Sequence, residues 1–222
     1  MPFPERLSSG YTTFIEGRFD RERARYQDLA ARGQKPEIMV VGCCDSRVSP
    51  EVIFDAIPGE LFVTRNVANL VPPYQPDGDL HGTSAALEYA VQVLRVKHIV
   101  VLGHAQCGGV GAFANESEPL SPGDFIGKWM SMIAPAADTI PGEYRNRPDY
   151  QRRLELASVE NSLRNLMTFP CISILVERGK LQLHGAYFGV ATGELLARDP
   201  QTGSFEPVCD VVGGARSMIR CD

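Results

Sequence analysis

The sequence lacks any apolar run that approaches the roughly 18–20 residues a membrane-spanning helix needs. Its start, Met1-Pro-Phe-Pro-Glu-Arg, also lacks the basic-then-apolar layout of a secretory signal. Positive charge is not in excess, since 22 Lys and Arg stand against 27 Asp and Glu, and no basic stripe is present. These absences predict a cytoplasmic protein with no membrane partner and no nucleic-acid partner.

The six cysteines do not predict a disulfide framework, because a chain of 222 residues is larger than the small secreted domains that disulfides stabilise. Without an export signal, reduced thiols, some of them bound to metal, are the expected state. No Gly-rich nucleotide loop follows any predicted strand. The length and the 44% hydrophobic content suit one α/β domain with appendages, or two small domains.

Short apolar runs bounded by turn residues predict buried strands, because parallel strands covered on both faces need not alternate. Apolar spacing over 83–96 predicts a helix that joins two such runs, and a strand–helix–strand unit implies parallel pairing. The last predicted strand follows a Thr192-Gly193 turn and would add an antiparallel edge. The predicted strands cover residues 38–42, 61–64, 98–102, 181–190 and 194–197.

Two helical regions lie outside this sheet pattern. Residues 11–32 have helical periodicity and end at Gly33, which predicts an N-terminal helical arm over 1–33 ahead of an α/β domain over 34–222. Residues 122–169 are mostly helical in pattern, and the charged residues of 143–160 predict a solvated helix face.

Metal-binding residue types follow two of the predicted strands. The first strand runs into Cys43-Cys-Asp-Ser-Arg47 and the third into Gly103-His-Ala-Gln-Cys-Gly-Gly109. Sites in open parallel sheets form beyond the carboxyl ends of strands, so these residues converge if the strands are neighbours. Thiolate and imidazole are ligands that zinc prefers. Cys43, His104 and Cys107 therefore predict a zinc site with one position open, unlike a closed structural site.

Taken singly, these residues have ordinary alternatives. A buried cysteine is usually a small hydrophobe, a histidine can be a core imidazole, and the zinc could be structural. Asp45 and Arg47 could form a helix-capping salt bridge, since Asp45 lies just before Val48-Ser-Pro-Glu. The pairing of both motifs at strand ends favours the metal site.

The sequence resembles the β-carbonic anhydrases, in their plant-type branch. The family's Cys-x-Asp-Ser-Arg signature is met from Cys43 to Arg47, and its His-x-x-Cys-Gly-Gly from His104 to Gly109. The likeness runs from about Gln34 to beyond Gly193. It implies a four-stranded parallel sheet with an added antiparallel edge strand, flanked by helices. It also implies a homodimer or a higher homo-oligomer, with the arm packing on a partner subunit.

The same resemblance implies one Zn²⁺ per chain and reversible hydration of carbon dioxide to bicarbonate and a proton by zinc-bound hydroxide. Arg47 would hold the Asp45 carboxylate, and Asp45 would orient the reacting oxygen. The implied substrate contacts are Gln34 from the neighbouring subunit, apolar walls from Phe62, Val67 and Tyr89, and the backbone N–H of Gly108.

One departure from the family concerns regulation. Some bacterial members bind inhibitory bicarbonate through a tryptophan, a tyrosine and an arginine, whereas here the corresponding residues are Val40, Phe188 and Arg65. We therefore predict an open zinc and no such bicarbonate site. Two other functions stay open at this point: hydrolysis of carbonyl sulfide or carbon disulfide on the same zinc, and a non-enzymatic zinc module.

Overall fold

A six-stranded mixed sheet forms the centre of the computed structural model, which describes residues 3–77, 80–115 and 125–208. Its strand order is β2-β1-β3-β4-β5-β6; the first four strands are parallel, and β5 and β6 pair antiparallel. The strands are β1 (Ile38–Cys43), β2 (Leu61–Asn66), β3 (His98–His104), β4 (Gln182–Phe188), β5 (Leu195–Arg198) and β6 (Phe205–Pro207).

The predicted fold class is confirmed, with one addition. Each predicted strand is present, and β5 continues the sheet in the antiparallel sense. β6 pairs with β5 and extends that edge by a further strand. A strand of three residues is too short to show the alternation by which strands are recognised in a sequence, which is why no pattern marked it.

The helices flank the sheet and include an arm in which α1 (Glu5–Phe14), a π-helical turn (Ile15–Phe19) and α2 (Asp20–Arg32) are continuous. Helix α2 ends at Gly33, whose φ is 78°. The predicted helix over 83–96 is α4 followed by a π-helix (Tyr89–Leu94). The α-helices are α1 (Glu5–Phe14), α2 (Asp20–Arg32), α3 (Pro50–Ile53), α4 (Gly82–Glu88), α5 (Gly108–Ala114), α6 (Phe125–Met130), α7 (Ala134–Ala137), α8 (Tyr150–Leu166) and α9 (Pro170–Glu177).

The main core lies between one face of the sheet and helices α4, α8 and α9. Met39, Val41, Ile99 and Val101 point to this face and are fully buried against the helices. The opposite face, called here the open sheet face, is centred on Val40, Leu102 and Ala186. Its other apolar side chains are only partly buried: Ile38, Leu61, Val63, Val100, Phe188 and Leu195.

The prediction of a solvated helix face over 143–160 is wrong at Glu155, which is 3% exposed on α8. The division into an arm and a domain over 34–222 stays a prediction, and its residues 209–222 lie outside the described residues. None of the helices in the described ranges combines the length and the hydrophobicity that a membrane-spanning segment requires.

Candidate metal centre

Three side chains with metal-binding atoms converge where β1 and β3 end. The two strands are parallel neighbours, paired from Ile38 and His98 to Val41 and Val101. Cys43 ends β1, His104 ends β3, and Cys107 lies in the turn before α5. Their sulfur and ring nitrogen atoms all lie within 4.8 Å of one another, and all three residues are buried. The convergence predicted from the two motifs is therefore present.

His104 is oriented to offer one ring nitrogen to this cluster. Its Nδ1 lies 3.0 Å from the carbonyl oxygen of Ala105. A carbonyl oxygen only accepts, so Nδ1 carries the proton and Nε2 keeps a free lone pair. Nε2 is buried and has no hydrogen-bond partner. An unsatisfied buried polar atom costs about 1–3 kcal/mol, a cost that a metal ion on this lone pair removes.

The two cysteines compete for a single negative charge in the absence of a cation. The hydrogen bond between their side chains lowers the pKa of Cys43 and raises the pKa of Cys107. The backbone N–H of Asp45, 3.4 Å from Cys43 Sγ, also favours the Cys43 thiolate. Two adjacent thiolates repel each other unless a cation lies between them, so the pair suits a metal that takes both as thiolates.

The donor set fits Zn²⁺. Two thiolates and one imidazole are ligands that zinc prefers, and catalytic zinc sites use three protein ligands. Among the residues that the structure describes, the metal-binding group contains no fourth Cys, His, Asp or Glu. A zinc ion held here would therefore keep one position for another ligand, which separates this site from a closed structural one.

Asp45 and Arg47 form a two-point ion pair beside the cluster. Arg47 donates from Nε to Asp45 Oδ1 at 2.9 Å and from Nη2 to Oδ2 at 2.6 Å. Its backbone N–H also donates to Oδ1, and Nη2 reaches the carbonyl oxygen of Gln106 at 3.0 Å. These hydrogen bonds, that of the Arg47 side chain above all, hold the pKa of Asp45 well below its usual range. The pair therefore keeps Asp45 ionised.

The helix-capping alternative for this pair is wrong. Helix α3 begins at Pro50, and its N-cap residue is Ser49. Asp45 lies in the preceding turn and caps that turn instead, by accepting the Arg47 N–H at 3.0 Å. The ion pair is therefore a feature of the metal-site loop and not of a helix end.

Arg65, on β2, holds the backbone of the same loop. Its Nε donates to the Cys43 carbonyl at 2.7 Å, and its Nη2 donates to the Asp45 carbonyl at 2.6 Å. Val40 and Phe188 belong to the apolar cluster of the open sheet face and offer no polar side-chain atom. This environment agrees with the predicted lack of an inhibitory bicarbonate site, which stays a prediction.

The expected substrate residues lie in two places. Phe62 and Tyr89 are in contact, with ring centroids 5.9 Å apart. Gln34 is exposed after α2 and lines, with Tyr89, a cavity of about 900 Å³. Val67 is partly exposed and packs near Gly109, and Gly108 opens α5 directly after Cys107. The roles of these residues in substrate binding stay predictions.

One residue that contacts the site was missed from the sequence. The backbone N–H of Cys107 donates to Glu155 Oε1 at 2.9 Å. Glu155 lies on the buried face of α8, four, seven and eleven residues before Val159, Ser162 and Leu166. This helical spacing is the signal that could have placed its carboxylate inside.

Comparison with known proteins agrees with the geometry. Residues 38–195 match the family model described as carbonic anhydrase. β-Carbonic anhydrase 3 of Arabidopsis thaliana is 36% identical over 194 residues, which cover 85% of this chain and 74% of that protein.

Solved structures show the same likeness. The β-carbonic anhydrase CcaA superposes with a TM-score of 0.79 and 31% identity, covering 94% of this chain and 93% of that one. A Coccomyxa β-carbonic anhydrase bound to acetazolamide gives 0.75 and 29%, covering 88% and 86%. A tetrameric β-carbonic anhydrase from Sordaria macrospora gives 0.72 and 29%, covering 90% and 96%.

Proposed function

The chain belongs to the β-class carbonic anhydrase family, and we propose that it works with the fourth position of its zinc open. Its reaction is the reversible hydration of carbon dioxide to bicarbonate and a proton. One observation supports an open fourth position: both Asp45 oxygens accept hydrogen bonds from Arg47. A carboxylate held in this way is not available as a fourth zinc ligand.

Cys43, His104 and Cys107 would hold the zinc ion, which would act as a Lewis acid and activate water near neutral pH. Asp45 is an anion at any working pH because its pKa is held low by Arg47. It therefore accepts a hydrogen bond from the reacting water and directs that water at the carbon of carbon dioxide. Arg47 fixes the direction of the carboxylate, because a two-point pair allows little rotation.

The substrate side of the site is also part of the proposal. Carbon dioxide has neither net charge nor dipole, so apolar walls from Phe62, Val67 and Tyr89 suit it. The backbone N–H of Gly108 would polarise one of its oxygens, and Gln34 would reach it from the neighbouring subunit. The contact of the Phe62 and Tyr89 rings, 5.9 Å between centroids, supports a continuous apolar wall.

The proposed enzyme is a homodimer or a higher homo-oligomer whose arm packs on a partner subunit. Between Glu5 and Arg32, the helical part of the arm that the structure describes, no residue is fully buried. Leu7 and Tyr11, four residues apart, form an apolar stripe along one side of α1 and are 55% and 65% exposed. Phe3, just before the helix, is 69% exposed. The open sheet face has partly buried apolar side chains on which the apolar stripe of a partner's arm could pack. The Sordaria macrospora relatives are tetrameric. Location in the cytoplasm stays a prediction.

The function is tested by stopped-flow hydration of carbon dioxide between about pH 6.5 and 9, together with the zinc content. We expect about one zinc per chain, inhibition by acetazolamide, and loss of activity on chelation that added zinc restores. The rate should rise with pH. Two thiolates neutralise the charge of the ion, so it acidifies water less than an ion held by three neutral imidazoles does.

A rate that is flat over this range contradicts the proposed zinc environment. Faster hydrolysis of carbonyl sulfide than hydration of carbon dioxide would favour that alternative substrate. Bound zinc with neither activity would identify a structural zinc module.

A further inference from the structure

A buried carboxylate lies directly beneath the loop that carries Cys107. Glu155 is 3% exposed, and both of its oxygens are hydrogen-bonded. Oε1 accepts from the Cys107 N–H and from Gln151 Nε2, each at 2.9 Å. Oε2 accepts from the Tyr187 hydroxyl at 2.7 Å. A buried carboxyl group is costly unless it is hydrogen-bonded, and here one of its three hydrogen bonds comes from the backbone of a zinc ligand.

Gln151 holds the other polar group of the same residue. Its Nε2 donates to the Cys107 carbonyl at 3.2 Å as well as to Glu155. Gln151 and Glu155 are four residues apart, so they lie together on one side of α8. The N–H and the C=O of Cys107 are thus both held by the same helix.

The backbone around Cys107 is strained on its N-terminal side. Gln106, directly before it, has a φ of 55°, which is unfavourable for a residue with a Cβ. Gly108 and Gly109, directly after it, begin helix α5, in which the Gly111 N–H donates to the Cys107 carbonyl oxygen at 2.8 Å. The strained side needs contacts from outside the loop to keep the Cys107 thiolate aimed at the cluster.

We propose that Glu155 and Gln151 are positioning residues that hold Cys107 in ligand geometry and thereby strengthen zinc binding. This inference rests on the proposed zinc site and deepens it, because it assigns the support of one ligand. Groups that orient metal ligands typically change metal affinity or activity about 10–100-fold when they are removed. Neither residue touches the reacting atoms.

The opposing explanation is that Glu155 only ties α8 to β4 through Tyr187. That role predicts lower resistance to unfolding and no change in the zinc site. A readout of the site itself, independent of activity, separates the two. Cobalt in place of zinc provides one, because thiolate-to-cobalt absorption reports the geometry of the two ligating sulfurs, Cys43 and Cys107.

The experiment compares Glu155→Ala, Gln151→Ala and Glu155→Gln in the full chain, with Glu160→Ala as a matched control. Glu160 lies on the same helix but forms a partly buried ion pair with Arg198 of β5. Zinc affinity is measured by competition with a chromophoric chelator, next to the cobalt spectrum and the unfolding temperature of the metal-free protein.

We expect Glu155→Ala and Gln151→Ala to weaken zinc binding about 10–100-fold and to alter the cobalt–thiolate band. Glu155→Gln should lose less, because its amide oxygen still accepts the Cys107 N–H while its NH₂ group faces the Tyr187 hydroxyl. Glu160→Ala should leave zinc affinity and spectrum unchanged. If Glu155→Ala fails to fold, Gln151→Ala and Glu155→Gln carry the same comparison.

Variants that melt earlier but bind zinc as the wild type does, with the wild-type cobalt spectrum, would overturn the inference. That result leaves the proposed function intact as long as the wild type binds zinc and hydrates carbon dioxide. A wild type that does not bind zinc overturns the function itself.

Discussion

Arg47 holds both oxygens of the Asp45 carboxylate, at 2.9 Å and 2.6 Å. The two residues are so close in the chain that the Arg47 N–H joins the same carboxylate. The guanidinium also reaches the carbonyl of Gln106, in the loop between His104 and Cys107. Arg47 therefore links the loops that follow β1 and β3, and it sets where a fixed negative charge stands beside the zinc ligands.

Replacing Asp45 by Asn should abolish most turnover while zinc stays near one per chain. The amide carries no negative charge, so it accepts the hydrogen bond of the reacting water more weakly and no longer holds that water in line with carbon dioxide. Misplacement of a reacting group can cost about 10²-fold in rate, and we expect a loss of kcat of that order. Stopped-flow hydration and metal analysis of the same samples measure both quantities.

Arg47→Lys should lose almost as much activity as Asp45→Asn, since an ammonium is a point charge and cannot bind both Asp45 oxygens at once. Arg153→Lys is the matched control, because Arg153 forms an exposed pair with Asp149 away from the metal cluster. Loss of zinc from both the Asp45 and Arg47 variants would mean that the pair is structural.

The sequence was sufficient to predict the zinc ligands because their position follows from topology. Parallel strands place their carboxyl ends on one edge, so Cys43 and His104 meet once β1 and β3 are neighbours. Topology does not place Glu155 in the same way. Its spacing from Val159, Ser162 and Leu166 points inward, but a charged residue in a charge-rich helix predicts solvent exposure. The contacts to Cys107 and Tyr187 that offset its burial come from distant parts of the chain.

Gly103→Ala should destabilise the fold by about 1–3 kcal/mol, the usual cost of overfilling a packed core. A Cβ on Gly103 would lie 2.6 Å from Cγ2 of Val159, which is fully buried on α8. Val159 is β-branched and cannot turn aside easily. Urea unfolding of the metal-free protein measures the change without a contribution from zinc.

Two further variants make this prediction specific. Gly142→Ala meets no atom within 4 Å and should leave the urea midpoint nearly unchanged. Val159→Ala added to Gly103→Ala should recover part of the loss, because the two changes share one space. Equal effects of Gly103→Ala and Gly142→Ala would contradict the predicted clash.

His184 should make the protein less stable below about pH 6.5. Burial, and then the charge of His98, lower the pKa of His184, whose Nε2 lies 3.1 Å from His98 Nδ1. As the pH falls below about 6.5, the unfolded chain takes up a proton that the folded chain resists, so unfolding is favoured. The effect is small because His184 is partly exposed, and we expect a fall in Tm of about 1–2 °C by pH 5.

His184→Gln should remove this part of the pH dependence, since the amide does not titrate and still offers a polar partner to His98. His81→Gln, at a surface histidine paired with Asp77, serves as the control. A Tm profile of His184→Gln that follows the wild type down to pH 5 would refute the assignment.

A charge in the apolar stripe of α1, at Leu7 or Tyr11, should weaken the binding of the arm to a partner subunit. Leu7→Glu and Tyr11→Glu each place a carboxylate where the proposed interface buries a side chain worth about 1.5–3 kcal/mol. Each substitution occurs twice in a dimer, so the dissociation constant should rise by well over tenfold, which sedimentation velocity detects. Ser9→Glu adds the same charge on the opposite side of α1 and should leave the oligomer intact. Oligomers of unchanged size in both stripe variants would show that the arm does not form the interface. Loss of assembly in Ser9→Glu as well would indicate general charge repulsion instead.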